Sequence, residues 1–167
     1  MVRDLTKRLV DEYADLIFRV SYTYLGSKAD MEDICQEVFI KLIRRQEPFE
    51  NSDHERNWII RVTINTCKDL LRARANHIVV DLNDAPELST PHDSVEQESG
   101  FERPDAILPH VMKLPVAYRE VIYLHYYEEQ SIKEIAHVLG CTQAAVSIRL
   151  SRARKKLRSM LEEVRNA

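Results

Sequence analysis

Residues 131–158, SIKEIAHVLGCTQAAVSIRLSRARKKLR, decide how the rest of the chain is read. Ile132, Ile135 and Ala136 recur at helical spacing and give a short helix one apolar face, with Ser131 placed to cap its start. Gly140 stands where the chain must turn sharply, and Thr142 can cap the helix that follows. On that second helix Val146, Leu150, Ala153 and Leu157 share one face, while Ala144, Ser147, Ile148, Ser151, Arg152 and Lys155 share the opposite one. The small Ala136 lets the two helices approach closely. The pattern is a helix-turn-helix. Small and polar residues early in the second helix, with arginine and lysine further along, suit entry into a major groove: the first reach base edges, the second flanking phosphates. A plain helical hairpin with a solvated basic face would share the apolar period, but not the combined spacing of Ala136, Gly140, Thr142 and Val146.

Upstream of this stretch, Pro115 suits the first turn of a helix running to about Tyr127. Further upstream, residues 81–105 have three prolines, one glycine and no apolar period. They hold one basic side chain (Arg103) against eight acidic ones, the composition of a linker extended by self-repulsion. It divides the chain into a unit over 1–80 and a unit over 106–167. The net charge of −3 is therefore misleading about nucleic acid. Residues 1–80 balance at 13 basic and 13 acidic, and residues 106–167 carry ten basic and six acidic. The acidity sits in the linker, and the C-terminal unit is basic.

The first 80 residues read as helices. Leu9, Tyr13, Leu16, Ile17, Val20 and Tyr24 form one apolar stripe ending near Gly26. Ser27 or Asp30 can cap a second helix that buries Met31, Ile34, Cys35, Val38 and Leu42. Pro48 and the polar run Glu50–Glu55 predict a loop, and a third helix follows from about Arg56 to Ala75 with Ile59, Ile60, Thr63, Cys67, Leu70 and Leu71 facing inward. Two outward faces stand out. The second helix exposes Asp33, Gln36, Glu37, Lys41 and Arg44 around an apolar Ile40, more typical of an interface than of a solvated stripe. The third presents Trp58, Arg61, Val62, Asn65, Lys68, Asp69 and Arg72. Aromatic and basic groups together are what locally melted nucleic acid requires, namely stacking surface and phosphate neutralisation.

Other classes find little support. With 44% hydrophobic and 31% charged residues in 167, the chain has the composition of a soluble globular protein. Three glycines disfavour a turn-rich β architecture, leaving an all-α expectation. No apolar run nears the roughly 18 to 20 residues that cross a bilayer, and charges throughout the first 18 residues argue against a secretory signal, so the expected compartment is the cytoplasm. Cys35, Cys67 and Cys141 lie far apart, in spacings that suit neither zinc nor a disulfide framework. The six histidines have no metal-ligand spacing, and neither a phosphate loop nor a nucleophile elbow appears. The expectation is a non-enzyme without metal, cofactor or small-molecule substrate.

Here the residues match a family. ADMEDICQEVFIKL (29–42) with RNWIIRVTINTCKDLLRAR (56–74) resembles region 2 of the extracytoplasmic-function (ECF) sigma factors, and residues 114–158 resemble their region 4. The resemblance implies a protein that binds core RNA polymerase, recognises −35 and −10 promoter elements and helps open DNA. By position, Asp33, Gln36, Glu37, Ile40, Lys41 and Arg44 would meet the β′ clamp helices. Phe49, Trp58, Arg61, Asn65, Lys68 and Arg72 would meet the −10 element, with the loop Glu50–Glu55 capturing a flipped base. Gln143, Ala144, Ser147, Ile148, Arg149, Ser151, Arg152 and Lys155 would read the −35 element, and region 4 would also dock on the β flap. The linker would thread toward the RNA exit channel. Relatives are commonly held by an anti-sigma factor, often membrane-bound, so such a partner is implied here too. Ser147 departs from a lysine or arginine common in relatives, and FENSDHER (49–56) lacks their loop glycine. If Arg61, Lys68, Arg72, Arg152, Arg154 and Lys155 all meet phosphates, log affinity falls against log salt with a slope of roughly −5.

Overall fold

In a computed structural model the described residues, 2–80 and 106–167, are helices joined by turns and form two units. The linker expected at 81–105 lies outside the described residues.

The first unit contains α1 (Val2–Tyr22), α2 (Lys28–Arg44) and α3 (Ser52–Val80), each packed on the other two. The stripe read from α1 is its buried face, with Ile17 at 0% and Val20 at 1% exposure. The helix stops at Tyr22 rather than at Gly26, because local hydrogen bonds close its last turn. The Leu25 amide donates to the Ser21 carbonyl (2.9 Å), the Ser21 hydroxyl to the Ile17 carbonyl (2.6 Å) and the Thr23 hydroxyl to the Val20 carbonyl. Tyr24 and Leu25, beyond the helix, then turn into the core. Ser27 caps α2 by accepting from the Asp30 amide, and α2 buries the five residues expected of it.

The third helix starts four residues earlier than expected and absorbs most of the predicted loop. Asn51 is the reason: its Oδ1 accepts the His54 amide at 2.8 Å and its carbonyl the Glu55 amide at 3.1 Å, which satisfies donors orphaned at a helix start. Ile59, Ile60, Thr63 and Cys67 are buried as expected, while Leu70 and Leu71 are half-buried and Ile64 and Thr66 join the core. Two polar ties reinforce the packing. Arg74 on α3 donates both terminal nitrogens to Asp30 on α2 (2.7 and 2.9 Å), a planar fork fitted to a carboxylate. Tyr13 on α1 has its phenol held above the ordinary range, first by burial and next by its hydrogen bond with Glu55 of α3.

The second unit contains α4 (Leu108–Val111), α5 (Val116–Tyr126), α6 (Ile132–Leu139) and α7 (Gln143–Asn166). Pro115 immediately precedes α5 as its N-cap rather than lying in the first turn. The one-turn α4, not anticipated from the sequence, packs on α5 and α7 and buries Val111. Ser131 and Glu134 form a reciprocal capping box on α6, and Thr142 caps α7 by accepting the Ala145 amide. Between them Gly140 adopts a left-handed φ of 65°, and the Cys141 amide reaches back to the Ala136 carbonyl at 3.0 Å. A Cβ at Gly140 would meet nothing within 4 Å, so glycine is required by φ alone and not by close packing. Arg119 is only 1% exposed and donates from Nε and Nη2 to the Leu114 carbonyl (3.2 and 2.9 Å), which pins the turn before α5.

Candidate functional site

Three surfaces are built on these two units. The first is the outward face of α2. Core packing takes Met31, Ile34, Cys35, Val38 and Leu42, and the remaining phases leave Asp33, Gln36, Glu37, Ile40, Lys41 and Arg44 outside the core. Ile40 is 47% exposed and Ile43, which the sequence reading passed over, is 52% exposed. At a spacing of three they are neighbours on the helix surface, so the apolar centre is a pair. Lys41 is less available than its neighbours. Its ammonium lies 3.1 Å from Glu37 and donates to the Thr66 hydroxyl of α3 at 3.1 Å.

The second surface joins the end of α2 to the outward face of α3. Arg61, Asn65, Asp69 and Arg72 are exposed along it, with Val62 and Lys68 half-buried. Trp58 does not stand free of the fold, as the helical phase suggested. It is half-buried because Phe49 packs against it edge to face (5.6 Å between centroids) and the Arg45 guanidinium lies over both rings, 4.5 Å from Phe49 and 5.2 Å from Trp58. Arg45 is thereby a member of the site that sequence alone could not supply, since only the path of the loop brings it over the rings. A cation above an aromatic face is attracted by the ring quadrupole, so the pair is held firm with ring surface left to solvent. Lys68 leans toward the Tyr24 ring (5.9 Å) and Arg72 pairs with Asp69 at 3.3 Å.

The third surface is α7. Val146, Leu150 and Ala153 are buried, and Gln143, Ala144, Ser147, Ile148, Ser151, Arg152 and Lys155 are exposed together on the other side. Arg149 is half-buried, and its guanidinium lies 3.8 Å from the buried Glu120 carboxylate of α5, a contact between α7 and α5. Arg154 is exposed but donates to the Tyr126 hydroxyl at 2.6 Å.

The cysteines separate into two kinds. Burial pushes the Cys35 thiol up to about 11. Burial, offset by a Ser21 hydrogen bond and reinforced by the Glu37 charge, pushes Cys67 up to about 12. Cys141 is only half-buried, at the helix-turn-helix corner. Because the thiolate is the nucleophile, iodoacetamide at about pH 8 should label Cys141 in the native protein and reach Cys35 and Cys67 only on unfolding. Equal labelling of all three, read by peptide mass spectrometry, would contradict the burial described. Among the described residues no group of histidine, cysteine and carboxylate side chains is placed to hold a metal ion, and no helix is long and apolar enough to cross a membrane.

Comparison with known proteins covers both units. Residues 9–77 match the family model of Sigma-70 region 2, and residues 111–157 that of Sigma-70, region 4. The ECF RNA polymerase sigma factor SigW of Bacillus subtilis is 29% identical over 171 residues, covering 97% of this chain and 91% of the relative. The ECF RNA polymerase sigma factor SigL of Mycobacterium tuberculosis is 30% identical over 164 residues, covering 96% and 90%. In fold the chain is similar to the sigma factor RpoE of Bartonella quintana, solved in complex with the anti-sigma factor NepR (TM-score 0.76, 18% identity, 96% of this chain and 98% of that one). It is also similar to CnrH in complex with the cytosolic domain of CnrY (TM-score 0.62, 23% identity, 96% and 90%). With both region models matched in the right order, and with relatives matched over nearly their whole length, the chain belongs to the ECF family of RNA polymerase sigma factors.

Proposed function

We propose that this chain is a dissociable promoter-recognition subunit in which residues 1–80 bind core polymerase and the −10 element, residues 106–167 bind the −35 element, and the acidic segment 81–105 links them. The observation that carries the reading is the coexistence of an aromatic and basic face on α3 with a helix-turn-helix whose second helix exposes small, polar and cationic residues. Either surface alone is a modest binder. Mounted together on one polymerase, each raises the effective concentration of the other. The Ile40 and Ile43 pair on α2 supplies the apolar centre of a polymerase contact, to the β′ clamp helices, and the second unit docks on the β flap. Opening follows from capture: unstacking a base costs a few kcal/mol, returned by stacking on the Phe49 and Trp58 surface and by phosphate contacts. The chain contributes no catalytic group, since phosphodiester formation belongs to the polymerase, and it works in the cytoplasm where the polymerase is. An anti-sigma partner, at a membrane or in solution, is part of the proposal, because RpoE was solved with one.

Run-off transcription with bacterial core polymerase on fragments of the source genome tests this. Discrete new transcripts should appear only with the protein present. Asn65→Ala, on the exposed face of α3, should lower open-complex formation about 10-fold or more while changing closed-complex affinity by less than about 3-fold, as expected when hydrogen bonds to an unpaired base are removed. Equal loss in both assays removes the strand-opening role. Absence of transcripts together with palindromic operator binding would make the protein a helix-turn-helix regulator.

A further inference from the structure

Between Arg44 and Ser52 no helix holds the backbone, and the order of this segment comes from side chains instead. The Glu50 amide donates to Nδ1 of His54 at 3.2 Å. The same ring packs edge-on against Phe49, with centroids 5.4 Å apart and planes at 85°. Phe49 in turn meets Trp58, and Arg45, anchored by its Nε donating to the Glu47 carbonyl at 3.0 Å, covers both rings. His54 is itself fixed at the start of α3, where its amide donates to Asn51 Oδ1.

We propose that His54 is a positioning residue for DNA opening: its neutral imidazole fixes the backbone at Glu50 and thereby the angle at which Phe49 is offered to an unstacked base. The inference rests on the reading of Phe49 and Trp58 as the single-strand contact, and assigns a role within it. A backbone N–H aimed at Nδ1 requires a lone pair there, so the ring carries its proton on Nε2. Protonation would turn Nδ1 into a donor facing a donor, and the loop would lose this tie.

The test uses holoenzyme, assembled at saturating protein so that core affinity drops out, on a promoter carrying 2-aminopurine in the −10 non-template strand. His54→Ala should lower opening about 3- to 10-fold at about pH 8, the effect of removing one hydrogen bond. His54→Asn places an amide oxygen near the position of Nδ1 and should restore opening to within about 2-fold. His54→Phe, which keeps a ring but no acceptor, should behave like His54→Ala. Normal opening by His54→Ala, or failure of His54→Asn to restore opening, would overturn the proposal. Trp58→Ala separates the two levels of failure. If it too opens DNA normally, the single-strand surface is misplaced; if it is impaired while His54→Ala is not, only the role of His54 falls.

Discussion

Ile40→Glu should weaken binding to core polymerase by about 100-fold while leaving the protein folded. The two halves of that expectation have separate physical grounds. Ile40 is 47% exposed and Ile43 52% exposed on α2, so neither contributes much to the core, and glutamate is a good helix former. Thermal stability should change by less than about 0.5 kcal/mol, the ordinary range for surface substitutions. On α2 the pair lies among the exposed polar residues Asp33, Gln36, Glu37, Lys41 and Arg44. An apolar anchor at the centre of an interface contributes about 2 kcal/mol or more, and a carboxylate put in its place is desolvated without a partner. Lys41→Ala should be far milder, since that ammonium is already engaged by Glu37 and Thr66. Affinity measured by fluorescence anisotropy with labelled protein decides. An Ile40→Glu variant that melts normally and binds core within about 3-fold of wild type would move the polymerase contact off this face.

Helical period was legible wherever one face of a helix is buried and the other is not. The buried sets of α1 and α2 and the corner built from Ser131, Gly140 and Thr142 follow from spacing and capping chemistry, both local properties of the chain. Boundaries were less legible. The run Glu50–Glu55 is polar because its side chains face solvent, cap the helix or, as Glu55 does with Tyr13, tie it to another helix, not because the backbone is irregular, so α3 begins inside it. Nothing in the order of residues distinguishes the two cases until Asn51 is seen accepting from His54. Tertiary partners were the least legible. Arg45 looks like any surface cation after a helix, and Arg149 like one more base in a basic helix. Only the fold places the first over Phe49 and Trp58 and the second beside Glu120. Cationic residues read as a set on α3 and α7 therefore divide into those held by the protein and those left to solvent.

That division sets the second large effect. Arg152 and Lys155 are exposed one turn apart on α7, beside Ser151 on the face opposite Val146 and Leu150. The double variant Arg152→Glu with Lys155→Glu replaces two cations by two anions on the surface assigned to the −35 element. Holoenzyme affinity for promoter DNA should fall about 100-fold at moderate salt, and the slope of log affinity against log salt should flatten by about 2, roughly one unit for each phosphate no longer neutralised. Arg154→Ala should cost much less, because its guanidinium is held by the Tyr126 hydroxyl and lies 5.5 Å from that ring. Arg149→Ala should act first on folding, by removing a cation from beside the buried Glu120 carboxylate. With Lys68 leaning on Tyr24 and Arg72 paired to Asp69, the wild-type slope is expected nearer about −3 than the roughly −5 that six unencumbered cations imply. The effects on sequence preference should run the other way. Gln143→Ala, at the exposed start of α7, should leave the salt slope intact and relax discrimination at one −35 position, because contacts to base edges specify while contacts to phosphate position. A salt slope unchanged by the double reversal, with affinity also unchanged, would place the DNA on another face of the second unit.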